Sequence, residues 1–359
     1  MKMAVYGASG YTGRLVLAEL ARRGIPAVVV GRDPERLRAA AAGAGMPTAG
    51  TAQASLDDPA ALAKAFVGCA GVINCAGPFV TSGEPVVRAA IAAGCHYVDI
   101  SGEQLYLQRI FERFGQEAAD AGVTVVPGVN DDGLPSSLIA QLAAERVAPV
   151  SELVIALDLT RSGAAPSRGT LRSALASLAT FRDGGLSYDD GTWRAGVLAR
   201  REWFTFPGEP VPVPVVKFPL PGVATIPRHV PASHVEGVAR AVLVEAFSQI
   251  TPELIDAVPD GPSEASRTAA RWTVVAEATG ADGRRARGVV SGPDTYGATA
   301  VIAVESARQL AGQDARPGVL APAQAFDPAD FLDFLTRYQA SWSIEAWPAV
   351  SVRALSPAS

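Results

Sequence analysis

The sequence predicts an α/β protein, a doubly wound parallel sheet accompanied by a second domain. Three observations carry this. A short apolar strand ending at Tyr6 runs into Gly7-Ala8-Ser9-Gly10-Tyr11-Thr12-Gly13, and apolar residues at helical spacing (Leu15, Val16, Leu20) follow. Short apolar runs and helical patterns then alternate up to residue 126, which implies right-handed crossovers and a parallel sheet covered on both faces. The 359 residues exceed one domain at roughly 150 residues per domain.

In the opening turn, Gly7 suits the turn itself, Gly10 the close approach of a phosphate, and Gly13 the packing of helix on strand. A helix that starts beside such a turn offers its free N–H groups and positive dipole end to an anion. The spacing is GxxGxxG rather than GxGxxG. The first helix, over residues 14–23, closes with Arg22, Arg23 and Gly24, cations on the negative dipole end and a glycine past the last turn. A second strand at 27–30 ends in Gly31-Arg32-Asp33. NAD-specific sheets place an acid here for the ribose 2′-hydroxyl, so arginine as the first side chain after the glycine points to a 2′-phosphate and hence to NADP(H). Asp33 keeps NAD as an alternative, yet Asp-Pro-Glu also reads as the N-cap, first residue and first-turn acid of a helix over 34–42.

The unit repeats. A weak third strand falls at 51–55, a helix opens at Asp58-Pro59 and ends near Gly68, and a fourth strand covers 71–76. A helix over 85–93, a fifth strand at 97–100, a long helix over 104–121 and a sixth strand at 123–126 follow. The expected order is 3-2-1-4-5-6, a Rossmann-type sheet whose ligands lie at the carboxyl strand ends, at the switch point between strands 1 and 4. Three polar turns leave that edge. Asn74-Cys75-Ala76-Gly77-Pro78-Phe79 leaves strand 4 on the nicotinamide side of a cofactor, Asp99-Ile100-Ser101-Gly102-Glu103 leaves strand 5, and Gly128-Val129-Asn130-Asp131-Asp132-Gly133 leaves strand 6. Together they read as walls of one cleft. Singly, each is also an ordinary polar turn, and residues 132–135 also read as the start of a helix over 136–145.

GASGYTG, the GR after strand 2, NCAGPF, HYVDISGE, and the later DTYGATA and PGVLAPAQAF together resemble the saccharopine dehydrogenase-like NADP-dependent reductases, most of all the branch with the trans-acting enoyl reductases. The likeness covers the first 130 residues well, the last sixty moderately and the middle weakly. It implies a nucleotide domain at 1–135, an inserted α+β domain for substrate and dimerisation at 136–294, and C-terminal helices at about 295–359 that complete the first domain. It also implies cofactor roles for Gly7, Ser9, Gly10, Tyr11, Thr12, Gly13, Arg32, Asn74, Gly77, Pro78 and Phe79; Ala76 joins them as part of the same turn. One departure is the Asn-Asp-Asp-Gly-Leu-Pro after strand 6, where related enoyl reductases carry a longer serine-proline segment.

The second domain begins near Ser151 with a strand at 153–159. A loop from Arg161-Ser162-Gly163 enters a helix near Ser167, with Arg168 and Arg172 on one face at i, i+4 spacing, either an anion site for substrate or a solvated face. Eight prolines between 207 and 231 favour extended edge segments or a covering loop, which could act as a lid, over central strands. Residues 271–279 and 287–291 alternate like a hairpin around Asp282-Gly283, a helix covers 295–310, and Trp342 and Trp347 in the tail read as core or homodimer contacts.

Composition excludes several functions. At 48% hydrophobic, 19% charged and a net charge of −5, nothing attracts nucleic acid or anionic lipid. No apolar run approaches the ~18 residues of a membrane span, and the glycine turn at residue 7 leaves no room for a signal peptide, so a cytoplasmic location is expected. Cys69, Cys75 and Cys95 lack CxxC spacing and read as reduced structural thiols; HExxH is absent, so no metal site is expected. The tyrosine-lysine pair at i, i+4 and a Gly-x-Ser-x-Gly elbow are absent too. Hydride transfer from a nicotinamide remains, with Tyr11, Asp99, Glu103 and Asp131 as unranked proton donors at strand ends. The apolar second domain favours an enoyl bond on a small or carrier-bound acyl substrate. Imine reduction and saccharopine-type amino-acid oxidoreduction stay open through Arg168, Arg172 and Arg228, as does an NADP sensor without turnover.

Overall fold

The computed structural model describes residues 1–159, 165–312 and 315–349, with Ser248 placed by its backbone alone. The expected loop at Arg161-Ser162-Gly163 and the last ten residues lie outside the described residues.

The first domain alternates β1 (Met3–Tyr6), α1 (Tyr11–Arg22), β2 (Ala27–Gly31), α2 (Pro34–Gly43), β3 (Gly50–Gln53), α3 (Pro59–Phe66), β4 (Gly71–Asn74), α4 (Phe79–Ala92), β5 (His96–Asp99), α5 (Gln104–Asp120) and β6 (Thr124–Val126). All six strands pair in parallel in the order 3-2-1-4-5-6. β1 and β4 are buried throughout, as strands covered on both faces must be, whereas the edge strand β3 is mostly exposed. The sheet gains a seventh strand from residues 318–319, beside β6, which the sequence analysis did not anticipate.

Three helices start earlier than expected, two of them in this domain. α1 begins at Tyr11 rather than residue 14, because Gly10 is itself the N-cap and turn and helix form one unit. α4 begins at Phe79 rather than at 85, with Pro85 accommodated inside it. A proline prefers the first helical position, but here a distant carboxylate decides: Glu103 accepts hydrogen bonds from the N–H groups of Phe79 (2.8 Å) and Val80 (2.7 Å). No local pattern could reveal that partner.

α6 (Gly133–Glu145) leads out of the first domain and is buried along most of its length. It starts three residues before its expected position, where Asn130 Oδ1 accepts the Gly133 N–H at 2.8 Å. Then come β7 (Val150–Asp158), α7 (Arg168–Ala176), α8 (Leu178–Arg182), β8 (Leu186–Asp189), β9 (Thr192–Ala195), β10 (Trp203–Phe204), β11 (Val213–Lys217), α9 (Gly222–Thr225), β12 (Ala232–Arg240), α10 (Ala241–Ser248), α11 (Pro252–Ala257), α12 (Glu264–Ala269), β13 (Arg271–Gly280) and β14 (Arg285–Pro293). α13 (Thr295–Gly312), β15 (Gly318–Val319), α14 (Pro322–Ala325), α15 (Pro328–Thr336) and β16 (Ser341–Trp347) complete the described chain.

The second sheet runs β10-β11-β12-β7-β13-β14-β16, with β7 and β12 parallel and β13 and β14 forming the expected hairpin. α6 lies flat on it, so close at β14 that a Cβ on Gly288 would stand 2.4 Å from Ile139 Cγ1. The proline-rich 207–231 segment supplies the short β10 neighbour β11 and the turn around α9, and among its described residues Phe218 and Pro219 border the cleft. The C-terminal stretch expected to return to the first domain divides: α13 packs on α1, β4 and β5 and β15 pairs with β6, while β16 crosses back to pair with β14 in the second sheet. Short strands on exposed edges carry little local signal, so β15 and β16 are decided by the partner strand that waits for them.

A buried carboxylate ties three strand ends together. Asp99, fully buried, accepts hydrogen bonds from Tyr106 Oη (2.6 Å), Tyr97 Oη (3.0 Å), the Gly128 N–H (2.9 Å) and the Ser101 N–H (3.0 Å). Tyr97 Oη in turn accepts from Asn74 Nδ2 at 3.0 Å. Replacing Asp99 by Ala would leave four buried donors without an acceptor, each costing roughly 1–3 kcal/mol, so Asp99→Ala should lose about 4 kcal/mol in denaturant unfolding. Asp99→Asn, which keeps an acceptor for the two N–H groups, should lose less than half of that; equal losses would show that the hub does not depend on the carboxylate.

Candidate active site

A single cavity of about 720 Å³ runs from the glycine turn to the interior of the second domain. At its first end the turn is preformed. Gly7 stands at φ +76° with its carbonyl accepting the Gly10 N–H at 3.0 Å, and a Cβ on Gly13 would lie 2.4 Å from that same carbonyl. The first bond of α1 is Arg14 N–H to the Gly10 carbonyl, Gly10 has no side-chain cap, and no acid lies in the first turn. The N–H groups of Tyr11, Thr12 and Gly13 therefore lack backbone acceptors among the described residues. A glycine-floored ring of free donors on a positive dipole end fits a diphosphate. Ser9, Gly10, Tyr11 and Thr12 line the cavity, while Gly13 acts beneath it as packing.

At the end of β2, Arg32 and Arg36 are exposed, border the cavity and have no ion pair among the described residues. Asp33 is engaged as the N-cap of α2, its Oδ1 accepting the N–H groups of Glu35 (3.0 Å) and Arg36 (3.1 Å). One oxygen of the carboxylate that would hold a 2′-hydroxyl is engaged as a cap, and the two cations beside it suit a 2′-phosphate. Arg36 was missed in the sequence; its i+4 spacing from Arg32 was the signal.

Across the groove, Cys75, Ala76, Gly77 and Phe79 border the cavity. Asn74 and Pro78 do not. Asn74 is fully buried and holds the turn from behind, its Oδ1 accepting the Ala76 N–H at 3.0 Å. Pro78 is the N-cap of α4 and follows a cis peptide bond. Over Gly77 a Cβ would meet Ser173 Oγ of α7 at 2.6 Å, so the second domain leans directly on this turn.

The four candidate proton donors separate. Tyr11 already donates to the Pro262 carbonyl at 2.7 Å and packs edge-on to Tyr296 at 5.1 Å, so it bridges the two domains. Asp99 lies behind the cavity in its saturated hub, and Glu103, at the wall, is spent on the start of α4. Burial raises the pKa of Tyr11, Asp99 and Glu103, although hydrogen bonds pull the two carboxyls back. Asp131 stands at the wall with Asp132 next to it. Burial pushes both carboxyls above the ordinary range, and the neighbouring charge of Asp132 adds to the rise at Asp131. In the sequence Asp132 read as part of the turn after strand 6 and as a helix start, and not as a candidate acid.

The far end of the cavity is an apolar chamber. Phe181 stacks on Phe247 at 5.3 Å, Phe218 meets both edge-on, and Leu171, Leu243 and Ile250 close the walls. Leu243 and Phe247 come from α10, Leu254 from α11 and Ile250 from the turn between them, a stretch given no role from the sequence, although Leu243/Phe247 and Ile250/Leu254 show i, i+4 spacing. The two expected substrate arginines part company. Arg168 is tied to the 258–260 loop, through Val258 O (2.6 Å) and Asp260 (3.2 Å), whereas Arg172 is exposed at the cavity without an ion pair among the described residues. Arg228 is not at the cavity; its guanidinium lies 3.8 Å over the Phe111 ring. His96 has a structural part, its Nδ1 accepting the Thr124 N–H at 3.1 Å. Cys69 and Cys95 are buried, Cys75 is half-buried, and all three are free thiols. Among the described residues no cluster of three His, Cys, Asp or Glu could hold a metal, and no helix is long and apolar enough to cross a membrane.

Comparison with known proteins bears on the first domain and the fold. Residues 3–126 match the family described as Saccharopine dehydrogenase NADP binding domain, so NADP(H) is the cofactor of the first domain. The chain is 32% identical over 213 residues to a saccharopine dehydrogenase-like oxidoreductase of Homo sapiens, covering 54% of this chain and 45% of the human protein. It is also 32% identical over 187 residues to a protein of Mycobacterium tuberculosis named as a trans-acting enoyl reductase, covering 50% of this chain and 44% of that one. The chain thus spans about half the length of the curated relatives it matches. The whole architecture resembles saccharopine dehydrogenase (L-Glu forming) of Saccharomyces cerevisiae, with TM-score 0.62 at 15% identity over 97% of this chain and 100% of that one, a likeness of fold.

A charge-assisted contact contributes roughly 1.5–3 kcal/mol, so Arg32→Ala should weaken NADPH binding about 10- to 150-fold and leave NADH binding as it is. Removing Arg36 as well should weaken NADPH further. Calorimetric titration checks this, and unchanged NADPH affinity in the double variant would remove the 2′-phosphate assignment.

Proposed function

We propose that this chain, whose residues 3–126 carry a saccharopine dehydrogenase-type NADP binding domain, is an NADPH-dependent reductase of an activated C=C bond in a hydrophobic acyl substrate. The observation that supports this reading is the continuity of the cavity: the cofactor groove opens without a wall into a chamber of phenylalanines, leucines and isoleucine. Bound NADPH supplies the hydride. The chain's own residues do the rest. The α1 N-terminus and Arg32 with Arg36 hold the phosphates, the Asn74-supported turn shapes the nicotinamide side, and the aromatic chamber excludes water and grips an apolar chain.

Electrostatics argue against a dicarboxylic amino acid. Such a substrate brings two or three charges into the chamber side of the cleft, where Arg172 is the one cation without an ion pair among the described lining residues. A dicarboxylate would leave charge buried without a partner, at a cost of several kcal/mol. An apolar chain with a single anionic or carrier-linked end suits the same surface.

Burial of a methylene contributes about 0.8 kcal/mol, so among enoyl thioesters KM should fall roughly fourfold per added CH2 until the chamber is full. Phe247→Ala should raise KM for long chains about tenfold while NADPH affinity holds. Loss of the reduced-nicotinamide absorbance over a chain-length series checks both. Turnover of dicarboxylic imines alone would move the assignment to amino-acid chemistry, and NADPH binding without turnover of any enoyl or imine would make the protein a sensor.

A further inference from the structure

Asp131 and Asp132 are consecutive residues on the loop between β6 and α6, and both border the cavity. Asp131 is 9% exposed, and Thr299 of α13 fixes its orientation twice over: the Thr299 hydroxyl donates to Asp131 Oδ1 at 2.8 Å and accepts the Asp131 N–H at 3.2 Å. Thr299 Oγ1 has thereby used its proton, and Asp131 Oδ2 is left with no hydrogen bond among the described residues. Asp132 Oδ1 is fully buried and has no hydrogen-bond partner among the described residues. Neither carboxyl has a cationic partner among the described residues. The charged side chain facing them from the neighbouring element is Asp294, itself paired with Arg267 at 2.8 Å, so it adds negative charge and no relief. Tyr296 borders the same wall.

Two consecutive carboxyls in a buried wall, without a cation among the described residues, each disfavour ionisation of the other, and burial raises the pKa of both. The fold has nonetheless kept both, with one oxygen of each unused, on the surface that receives substrate. Asp99 and Glu103 differ in this respect, since every one of their hydrogen-bond commitments is to the protein itself.

We infer that the Asp131–Asp132 pair keeps one of its carboxyls protonated against the cleft and donates that proton to the substrate, with Thr299 as the positioning residue that aims Asp131. The inference rests on the reductase reading above. In the balanced step, hydride adds to one carbon of the C=C bond, the π pair moves to the neighbouring carbon, and that carbon takes the proton of the pair. The substrate gains two hydrogens, NADPH leaves as NADP⁺, and water returns one proton to the pair once product has gone. Donation leaves both carboxylates charged side by side, which favours prompt reprotonation and resets the site.

The first test needs no substrate. In the full chain labelled with ¹³C at aspartate Cγ, carboxyl resonances followed by NMR across the pH range should show one proton on the pair at neutral pH, lost in a step well above the ordinary carboxylate value of about 4. Asp131→Asn should abolish that step and let Asp132 titrate lower, since its charged neighbour is gone. Thr299→Val should shift the step, and Thr299→Ser should restore it. The second test is kinetic. With an enoyl substrate, Asp131→Asn should lower kcat about 10²- to 10⁴-fold with KM and NADPH affinity little changed, and Thr299→Val should lower kcat with rescue by Ser. Ordinary titration of both aspartates, or full turnover in Asp131→Asn, overturns the inference. If the wild type reduces no substrate, the reductase reading fails instead, while the NMR arm still decides whether the pair keeps its proton.

Discussion

One buried carboxylate conditions the rest of this structure. Asp99 sits at the carboxyl end of β5, where β4 and β6 also end, and its two oxygens gather donors from the chain after β5, the chain after β6 and two tyrosines. Burying a carboxylate is costly, and four hydrogen bonds offset the cost only if all four donors are in place. The same network passes through Tyr97 to Asn74 and so to the turn after β4. The polar edge of the sheet is therefore one connected object. Glu103 extends it, anchoring the start of α4 from four residues further along.

On that edge the second domain is seated by close approaches rather than by a flexible hinge. α6 is buried between the first domain and the second sheet, and its contact at Gly288 tolerates no side chain. Above the glycine turn, Tyr11 lies under Gly261, where a Cβ would come within 2.4 Å of its ring, and donates to Pro262. Ser173 presses on Gly77 across the groove. Because these contacts sit on both rims, the groove for the cofactor and the apolar chamber share one continuous space. Within it, Arg32, Arg36 and Arg172 have no ion pair among the described residues, and Asp131 Oδ2 and Asp132 Oδ1 accept no hydrogen bond from them.

Local chemistry made much of this legible. The nucleotide half could be read because its signals are short-range: glycines where the backbone needs room, Asp33 and Asp58 capping the helices that follow them, and buried parallel strands written as apolar runs. Arg32 after Gly31 carried the cofactor preference for the same reason, since strand, turn and cation are adjacent in the chain. The candidate acids were visible as residue types at strand ends, but their ranks were not. Asp99, Glu103 and Asp131 look alike in sequence, and what distinguishes them is which donors each has met.

The sequence by itself determined the doubly wound sheet, its strand order and the site of the dinucleotide, because each of these follows from periodicity, glycine geometry and charge within a few residues. Only the tertiary structure decided where α4 begins, that β15 joins the first sheet and β16 the second, that Arg168 is engaged while Arg172 is free, and that α10 and α11 wall an apolar chamber. All of these depend on partners tens to hundreds of residues away. Burial and hydrogen bonding are properties of what surrounds a side chain, and for Thr299 and Asp131, 168 residues apart, the chain must fold before either has a neighbour.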